Sequence, residues 1–302
     1  MLTRYGQRNL IWIDLISPTP AEVRLLMQEF DVDPTIAQEL LVPSFRQKVE
    51  RRGDIIYVTL HFSALRGIGR RPEQEIDFII GKHFLITTHY ETNDPLHAFA
   101  KAFEVDSVLD QNQTQIHGGH LFVEMVGNLY RALIEECELL ERRLIDIEER
   151  IFDGSTPHMV AEISQTGRII HDFHQSLLPH REMLTSLEPV ANRMFGSEFL
   201  YHLRNLEGVY NRLEQTLKNL RESLMELRET NNSLLSTKQN EIMKTLTVLT
   251  FIFFPLVFVG SILDLYLQYA VGGHAYIFWI TIGAMALVAL FCLVYFKRKG
   301  WL

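Results

Sequence analysis

Two long apolar runs near the end of the chain constrain its fold more than any other feature. Thr245 to Leu263 reads TLTVLTFIFFPLVFVGSIL, Tyr276 to Phe296 reads YIFWITIGAMALVALFCLVYF, and neither contains Asp, Glu, Lys or Arg. At ~1.5 Å per residue each run makes a helix long enough to cross a ~30 Å hydrocarbon layer. The expectation is a membrane hairpin with a first span over 244–266, a connection over 267–275 and a second span over 276–296. Lys244 precedes the first span and Lys297-Arg298-Lys299 follows the second, while Asp264 to Ala275 holds no Lys or Arg. The positive-inside tendency then puts both chain ends in the cytoplasm, with 297–302 as a basic cytosolic tail. Met1 to Leu10 is polar and does not read as a signal peptide, so residues 1–243 are expected to stay cytosolic beneath the cell (inner) membrane.

Charge divides the chain at the same place. Of 29 basic and 37 acidic residues, 25 and 36 precede Lys244, a net charge of −11 for the cytosolic part. That excess argues against nucleic acid as a partner and suits the gathering of cations, although an ordinary acidic domain has the same balance. Cys137 and Cys292 are far apart, one in a charged helix and one in a span, and point to neither a disulfide framework nor a Cys-based metal cluster.

The cytosolic part changes pattern once. Leu10 to Leu15 reads as a strand, and Thr19-Pro20-Ala21-Glu22 is a capping box opening a helix to about Phe30. Asp33-Pro34 opens another. Asp54–Leu60, Glu75–Ile80 and His83–His89, the last two joined by Gly81-Lys82, predict an antiparallel hairpin sheet. From about His120 the sequence is helical with few breakers: His120–Phe152, then about Pro157 to Leu187, then a run from about Ser197 without Pro to Pro255 that must be a stalk entering the bilayer.

Two seams mark that stalk. Leu203, Leu206, Tyr210, Leu213, Leu217, Leu220, Leu224 and Leu227 alternate spacings of three and four, a heptad seam that requires an apolar partner. A second series continues into the first span through Ser233, Ser236, Asn240, Met243, Thr247, Thr250, Phe254, Val257, Ser261 and Asp264. Hydroxyl, amide and carboxylate groups on one face of a membrane helix point to a bundle interior or a water-filled path; helix-to-helix hydrogen bonding is the alternative.

Several stretches resemble the CorA family of divalent-cation channels and transporters, which includes the ZntB zinc branch. They are Asn240-Glu-Ile-Met-Lys-Thr-Leu-Thr247, the Phe-Pro-Leu-Val-Phe of 254–258, the two-span hairpin and Tyr295-Phe-Lys-Arg-Lys-Gly-Trp-Leu302. Trp12-Ile-Asp-Leu15, Arg46-Gln-Lys-Val-Glu50 and Phe84-Leu-Ile-Thr-Thr-His89 are similar to recurring cytosolic stretches of the same family. The resemblance implies an α+β membrane protein: a cytosolic α/β domain over 1–119 in an α/β/α arrangement, long helices and stalk over 120–243, and two C-terminal transmembrane helices. It further implies a homopentameric funnel in the lipid bilayer with divalent cations as cargo, no separate cofactor and no enzymatic activity. Carried over, the pore-lining positions fall on Asn240, Met243, Leu246, Thr250, Phe254, Val257 and Ser261, and spacing alone prefers Thr247 to Leu246.

One departure from the family pattern stands at the outer mouth. Where the family carries Gly-Met-Asn, this chain has Asp264-Leu265-Tyr266, so an amide suited to hydrated Mg²⁺ is replaced by a carboxylate that would form a ring of five. Asp264 is thus a candidate metal-facing residue, with an interfacial helix end as the alternative. His274, in a loop whose Gly272-Gly273 pair is similar to glycine-rich loops of the zinc branch, is a candidate entry ligand for Zn²⁺, with simple solvation as the alternative. His171, His174 and His180 have spacings that permit a metal clip. Asn205, with Glu207 nearby, stands where some relatives hold a regulatory carboxylate. No Walker loop, nucleophile elbow or zinc-protease signature is present, which leaves transport of Mg²⁺, Zn²⁺, Co²⁺ or Ni²⁺ down electrochemical gradients. A non-conducting scaffold or sensor is the second reading.

Overall fold

β-rich sequence near the start of the chain builds one mixed sheet of six strands in the order β1-β2-β6-β5-β4-β3. These are β1 (Leu2–Gln7), β2 (Leu10–Ile16), β3 (Lys48–Arg52), β4 (Ile55–Phe62), β5 (Gln74–Ile80) and β6 (Phe84–His89). β2 and β6 run parallel; every other neighbouring pair is antiparallel. The computed structural model describes residues 1–7, 9–44, 46–63, 74–91, 94–109, 117–153, 159–269 and 275–299, which fall into two compact units, 1–227 and 228–302.

Every residue of β4 is buried, so helices must cover both faces of the sheet. On one face α1 (Pro20–Phe30) and α2 (Pro34–Glu39) supply Val23, Leu26, Ile36 and Ala37 to a cluster with Ile13, Leu15, Tyr57, Ile79 and Ile86. The predicted capping box starts α1: the Glu22 N–H donates to Thr19 Oγ1 at 3.3 Å, and the Thr19 N–H to Glu22 Oε2 at 2.9 Å. Asp33 caps α2 through the Thr35 N–H at 2.8 Å. On the other face Trp12 meets Phe99 and Phe103 of α3 (Asp94–Leu109), and Phe78 meets Phe122 of α4 (Gly118–Phe152). Phe62 packs on Tyr130 of α4 and on His180. This three-layer arrangement is the expected α/β/α domain.

The sheet is larger than the predicted hairpins. β1 and β3 are its two edges, and their sequences, LTRYGQ and KVERR, are too polar to display the alternation that marks an interior strand. Charge on an edge strand discourages pairing with a second molecule, so the same feature that protects the sheet conceals it in the sequence. The parallel β2–β6 pair, with Ile11 opposite Phe84 and Ile16 opposite His89, joins segments that no turn motif connects.

Beyond β6, helix boundaries also differ from expectation. The single helix predicted from about Pro157 to Leu187 is two, α5 (Met159–Leu177) and α6 (His180–Phe195), because Pro179 can neither donate a backbone N–H nor continue α5. His180 fixes the corner. Its Nε2 bonds the His61 carbonyl and its Nδ1 meets the Tyr130 hydroxyl, both at 2.9 Å. The expected stalk and first span are one helix, α7 (Phe199–Tyr269), 71 residues in all, which passes through Pro255. Within the first unit all eight heptad positions from Leu203 to Leu227 are buried, as the seam required. Tyr210 of that seam stacks near Tyr130 and donates to the Leu177 carbonyl at 3.2 Å, while Glu214 pairs with Arg181 and Glu188 with Arg204.

Two predictions follow from these anchors. The Gly118 N–H donates to the Lys82 carbonyl at 3.2 Å, and a Cβ at Gly118 would lie 2.3 Å from the Gly81 and Phe84 carbonyl oxygens. Gly118→Ala should therefore destabilise the first unit by about 1–3 kcal/mol, read as a lowered thermal midpoint. Burial holds the His180 imidazole down to about 3, against the opposing bond from the His61 carbonyl. Below its ordinary value of 6.5 the unfolded chain takes up a proton that the folded chain refuses, so this stability is present above pH 6.5 and is lost as pH falls toward 3. Denaturant titrations at pH 7 and pH 5 should show His180→Gln losing about 1.4 kcal/mol per pH unit of that dependence.

Candidate functional site

The second unit holds α7 from Arg228 onward together with α8 (Ala275–Arg298). Among the described residues one segment, Phe199–Ile262, is long enough and, in its most apolar window, hydrophobic enough to cross a bilayer. Only 6% of that window is buried, which is untenable in water and appropriate to lipid or to other copies of the helix. α8, with 24 residues, spans about 36 Å.

At 3.6 residues per turn, residues of α7 in this region sort by side. Val248 is 4% exposed, and Ile252, Pro255, Leu256 and Val259, on the same side, are half-buried. On α8 the matching shielded stripe is Met285, Ala289, Cys292 and Phe296, and the Phe251 and Phe296 rings meet at 6.2 Å. The opposite side of α7, half a turn away, presents Met243, Thr250, Phe254, Val257 and Ser261, flanked by Asn240, Leu246 and Asp264; all eight are exposed. Thr247 lies at the margin and is half-buried. α8 therefore shields one side of α7 and leaves uncovered the side on which the predicted lining residues fall.

The hydroxyls on the uncovered side have a defined polarity. Thr247 Oγ1 donates to the Met243 carbonyl at 2.7 Å, Thr250 Oγ1 to Leu246 at 2.9 Å and Ser261 Oγ to Val257 at 2.9 Å. With their protons committed to the preceding turn, these oxygens offer lone pairs outward, the polarity that the hydrogens of a cation's hydration shell require. Pro255 lacks an N–H, so the Phe251 carbonyl is left without its usual helical acceptor role although the helix continues.

Toward the C-terminal end of α7 Asp264 and Leu265 are exposed and lie within the helix, which runs on to Tyr269. The helix thus extends past the predicted span end at 266 and into the predicted connection. Tyr266 continues the helical backbone, and its side chain lies outside the described residues, as does His274 entirely. The histidine clip is not assembled: His171 is exposed, His174 half-buried, and His180 is committed to His61 and Tyr130. Asn205 is exposed beside half-buried Glu207. Among the described residues no three or more His, Cys, Asp or Glu side chains are arranged to hold a metal ion. Sequence reasoning missed the shielded α8 stripe, because that span is apolar on every side and its spacing carries no contrast.

Comparison with known proteins places this geometry. A family model described as CorA-like Mg2+ transporter protein matches residues 7–298. The cobalt/magnesium transport protein CorA of Thermotoga maritima is 20% identical over 298 residues, covering 96% of this chain and 83% of that protein. In structure, the CorA magnesium transporter of Methanocaldococcus jannaschii matches with a TM-score of 0.82 at 20% identity, covering 97% of this chain and 92% of that one. The cytoplasmic domain of ZntB from Vibrio parahaemolyticus matches with a TM-score of 0.59 at 12% identity, over 77% of this chain and 90% of that one. With nearly its whole length matched, the chain belongs to the CorA-like Mg2+ transporter protein family.

Proposed function

We propose that this protein transports divalent metal cations through an axial pore formed by five copies of the chain. The observation that carries this reading is the division of α7 into a side shielded by α8 and an uncovered side bearing Asn240, Met243, Thr250, Phe254, Val257 and Ser261. A cyclic assembly repeats each residue around one axis, so Met243, Leu246 and Phe254 would form apolar rings that close by dewetting, and Asn240, Thr250 and Ser261 would form rings of oxygen. Thr247 would line the margin. Asp264, with Leu265 and Tyr266 after it, would edge the outer mouth, and His274 would lie in the loop beyond it.

The spans sit in the cell (inner) membrane with both termini cytoplasmic. Movement inward along an interior-negative potential then releases about 4.6 kcal/mol per 100 mV for a divalent ion, and no ATP is needed. Relatives are named for cobalt and magnesium, and a structural neighbour is ZntB. A carboxylate ring in place of the family's amide favours direct ligation over contact through water, which moves selectivity from Mg²⁺ toward Zn²⁺, Co²⁺ or Ni²⁺. The same replacement favours the second reading, a non-conducting scaffold or sensor.

Flux into liposomes separates the two. The transport reading expects uptake of Zn²⁺ or Co²⁺ by the wild-type protein and at least a fivefold loss in Asp264→Ala; zero flux of every divalent ion by an assembled pentamer would establish the scaffold instead. Cysteines introduced one at a time in a Cys292→Ser background, where the remaining Cys137 is buried, give a second check. Those at Thr250, Val257 and Ser261 should react with a charged, water-soluble thiol reagent, and those at Ile252, Leu256 and Val259 should not.

A further inference from the structure

Two carboxylates stand side by side inside the sheet of the first unit, where the transport reading has no use for them. Glu75 and Asp77 are two residues apart on β5 and both are buried, so both point to the face covered by α1 and α2. Tyr57 and Thr59 of β4 donate their hydroxyl protons to Asp77 Oδ1, each at 2.9 Å. Three buried oxygens of this face have no hydrogen-bond partner: Asp77 Oδ2, Glu75 Oε1 and the Oγ1 of Thr88, which lies opposite Asp77 on β6. No Lys or Arg among the described residues pairs with either carboxylate. The base beside them is His61, whose Nε2 is 3.1 Å from Glu75 Oε2.

Ionised together at this depth, the pair would hold two like charges out of water and leave an anionic oxygen without a donor. A proton on Asp77 Oδ2 removes one charge and supplies a donor for Glu75 Oε1 or Thr88 Oγ1. Burial, followed by the Glu75 charge, pushes the Asp77 carboxyl up to about 7, against the opposing bonds from Thr59 and Tyr57. The other groups turned to this face do not neutralise the pair. Burial and the nearby carboxylates raise the Tyr57 and Tyr90 phenols, which stay neutral. Glu39 of α2 is matched by Lys48 of β3 at 2.5 Å, and Lys48 lies over the Tyr57 ring and reaches Glu50. From α1 come only Val23 and Leu26 among the buried residues of this cluster.

The same groups hold a strap of chain, residues 40–44, that leaves the end of α2. The Ser44 N–H donates to Glu75 Oε2 at 2.6 Å, and the Ser44 carbonyl accepts from His61 Nε2 at 2.8 Å. At the other end the Leu40 carbonyl accepts from the Tyr90 hydroxyl at 3.3 Å. Between these anchors Val42 and Pro43 are exposed. We propose that Asp77 and Glu75 form a proton-binding site that latches residues 40–44 to the sheet, closed with one proton on the pair and opened when that proton is lost to water. Opening lets water solvate the second charge. The closed strap binds the proton more tightly than an open carboxyl at its ordinary 3.8, so the latch is fully favoured below pH 3.8 and its advantage is lost as pH rises to about 7. This sign is opposite to that of His180, whose contribution is lost on acidification. His61 also carries the latch toward the α5–α6 corner, because its carbonyl accepts from His180 Nε2 at 2.9 Å.

Two measurements on the full chain in detergent test the latch, and neither uses transport, so the outcome is independent of whether the chain conducts. Infrared pH-difference spectra should show the carbonyl stretch of a neutral carboxylic acid that titrates with a midpoint of about 7 and is missing in Asp77→Asn. Glu75→Gln removes the neighbouring charge but keeps an acceptor for Ser44, and should lower that midpoint by about half a pH unit or more. Hydrogen exchange of the peptide carrying Ser44, corrected for ordinary base catalysis, should lose protection by about tenfold per pH unit from pH 5 to pH 7 and level off above it. In Asp77→Asn, which cannot ionise, the protection should be flat over the same range. Absence of a titrating acid band, a band that survives Asp77→Asn, a midpoint unmoved by Glu75→Gln, or the same pH dependence of Ser44 protection in Asp77→Asn as in the wild type would each overturn the proposal.

Discussion

One constraint governs the chain: α7 is a single unbroken helix that has to satisfy two different surroundings along its length. Between Leu203 and Leu227 it presents an apolar seam that is buried by protein. From about Thr245 to Leu263 its whole circumference is apolar or hydroxylic, and its backbone groups can be satisfied only within the helix. Serine and threonine on this stretch return their protons to the preceding turn, a habit that costs little in a hydrocarbon environment and leaves oxygen lone pairs on the surface. The change from buried seam to two-sided surface is what allows the same helix to be a packing element early and a candidate pore wall late.

The first unit supplies the rigidity such a helix needs. A sheet covered on both faces holds α4 by close backbone approach at Gly118, and the α5–α6 corner is held by the two hydrogen bonds of His180, one to His61 of β4 and one to Tyr130 of α4. Both devices depend on residues with no slack: a glycine where even a methyl group would meet carbonyl oxygens, and a neutral imidazole sealed from solvent.

Much of the fold was legible because its signals are local. The Thr19–Glu22 capping box, the Asp33 cap, the interior strands and the Leu203–Leu227 seam all read directly, and the two long apolar runs stood out by length and lack of charge. The edge strands β1 and β3 were silent because edges carry charge instead of alternation. Pro179 ends a helix that periodicity would have continued, whereas α7 passes through Pro255, as a first span over 244–266 requires. At the candidate site the lining face could be drawn from spacing, which prefers Thr247 where the family resemblance gives Leu246; in the structure Thr247 is half-buried and Leu246 54% exposed.

The sequence by itself determined the family, the membrane-length helices and the face of α7 on which polar groups recur, because each rests on neighbours within a few turns or on motifs of contiguous residues. Tertiary structure alone decided the parallel β2–β6 pairing, the side of α7 shielded by the Met285–Phe296 stripe, and the attachment of Ser44 to Glu75 and His61. Those outcomes depend on which distant surfaces bury each other. Burial free energy is not directional, so periodicity can say that a face needs a partner but not which partner it receives.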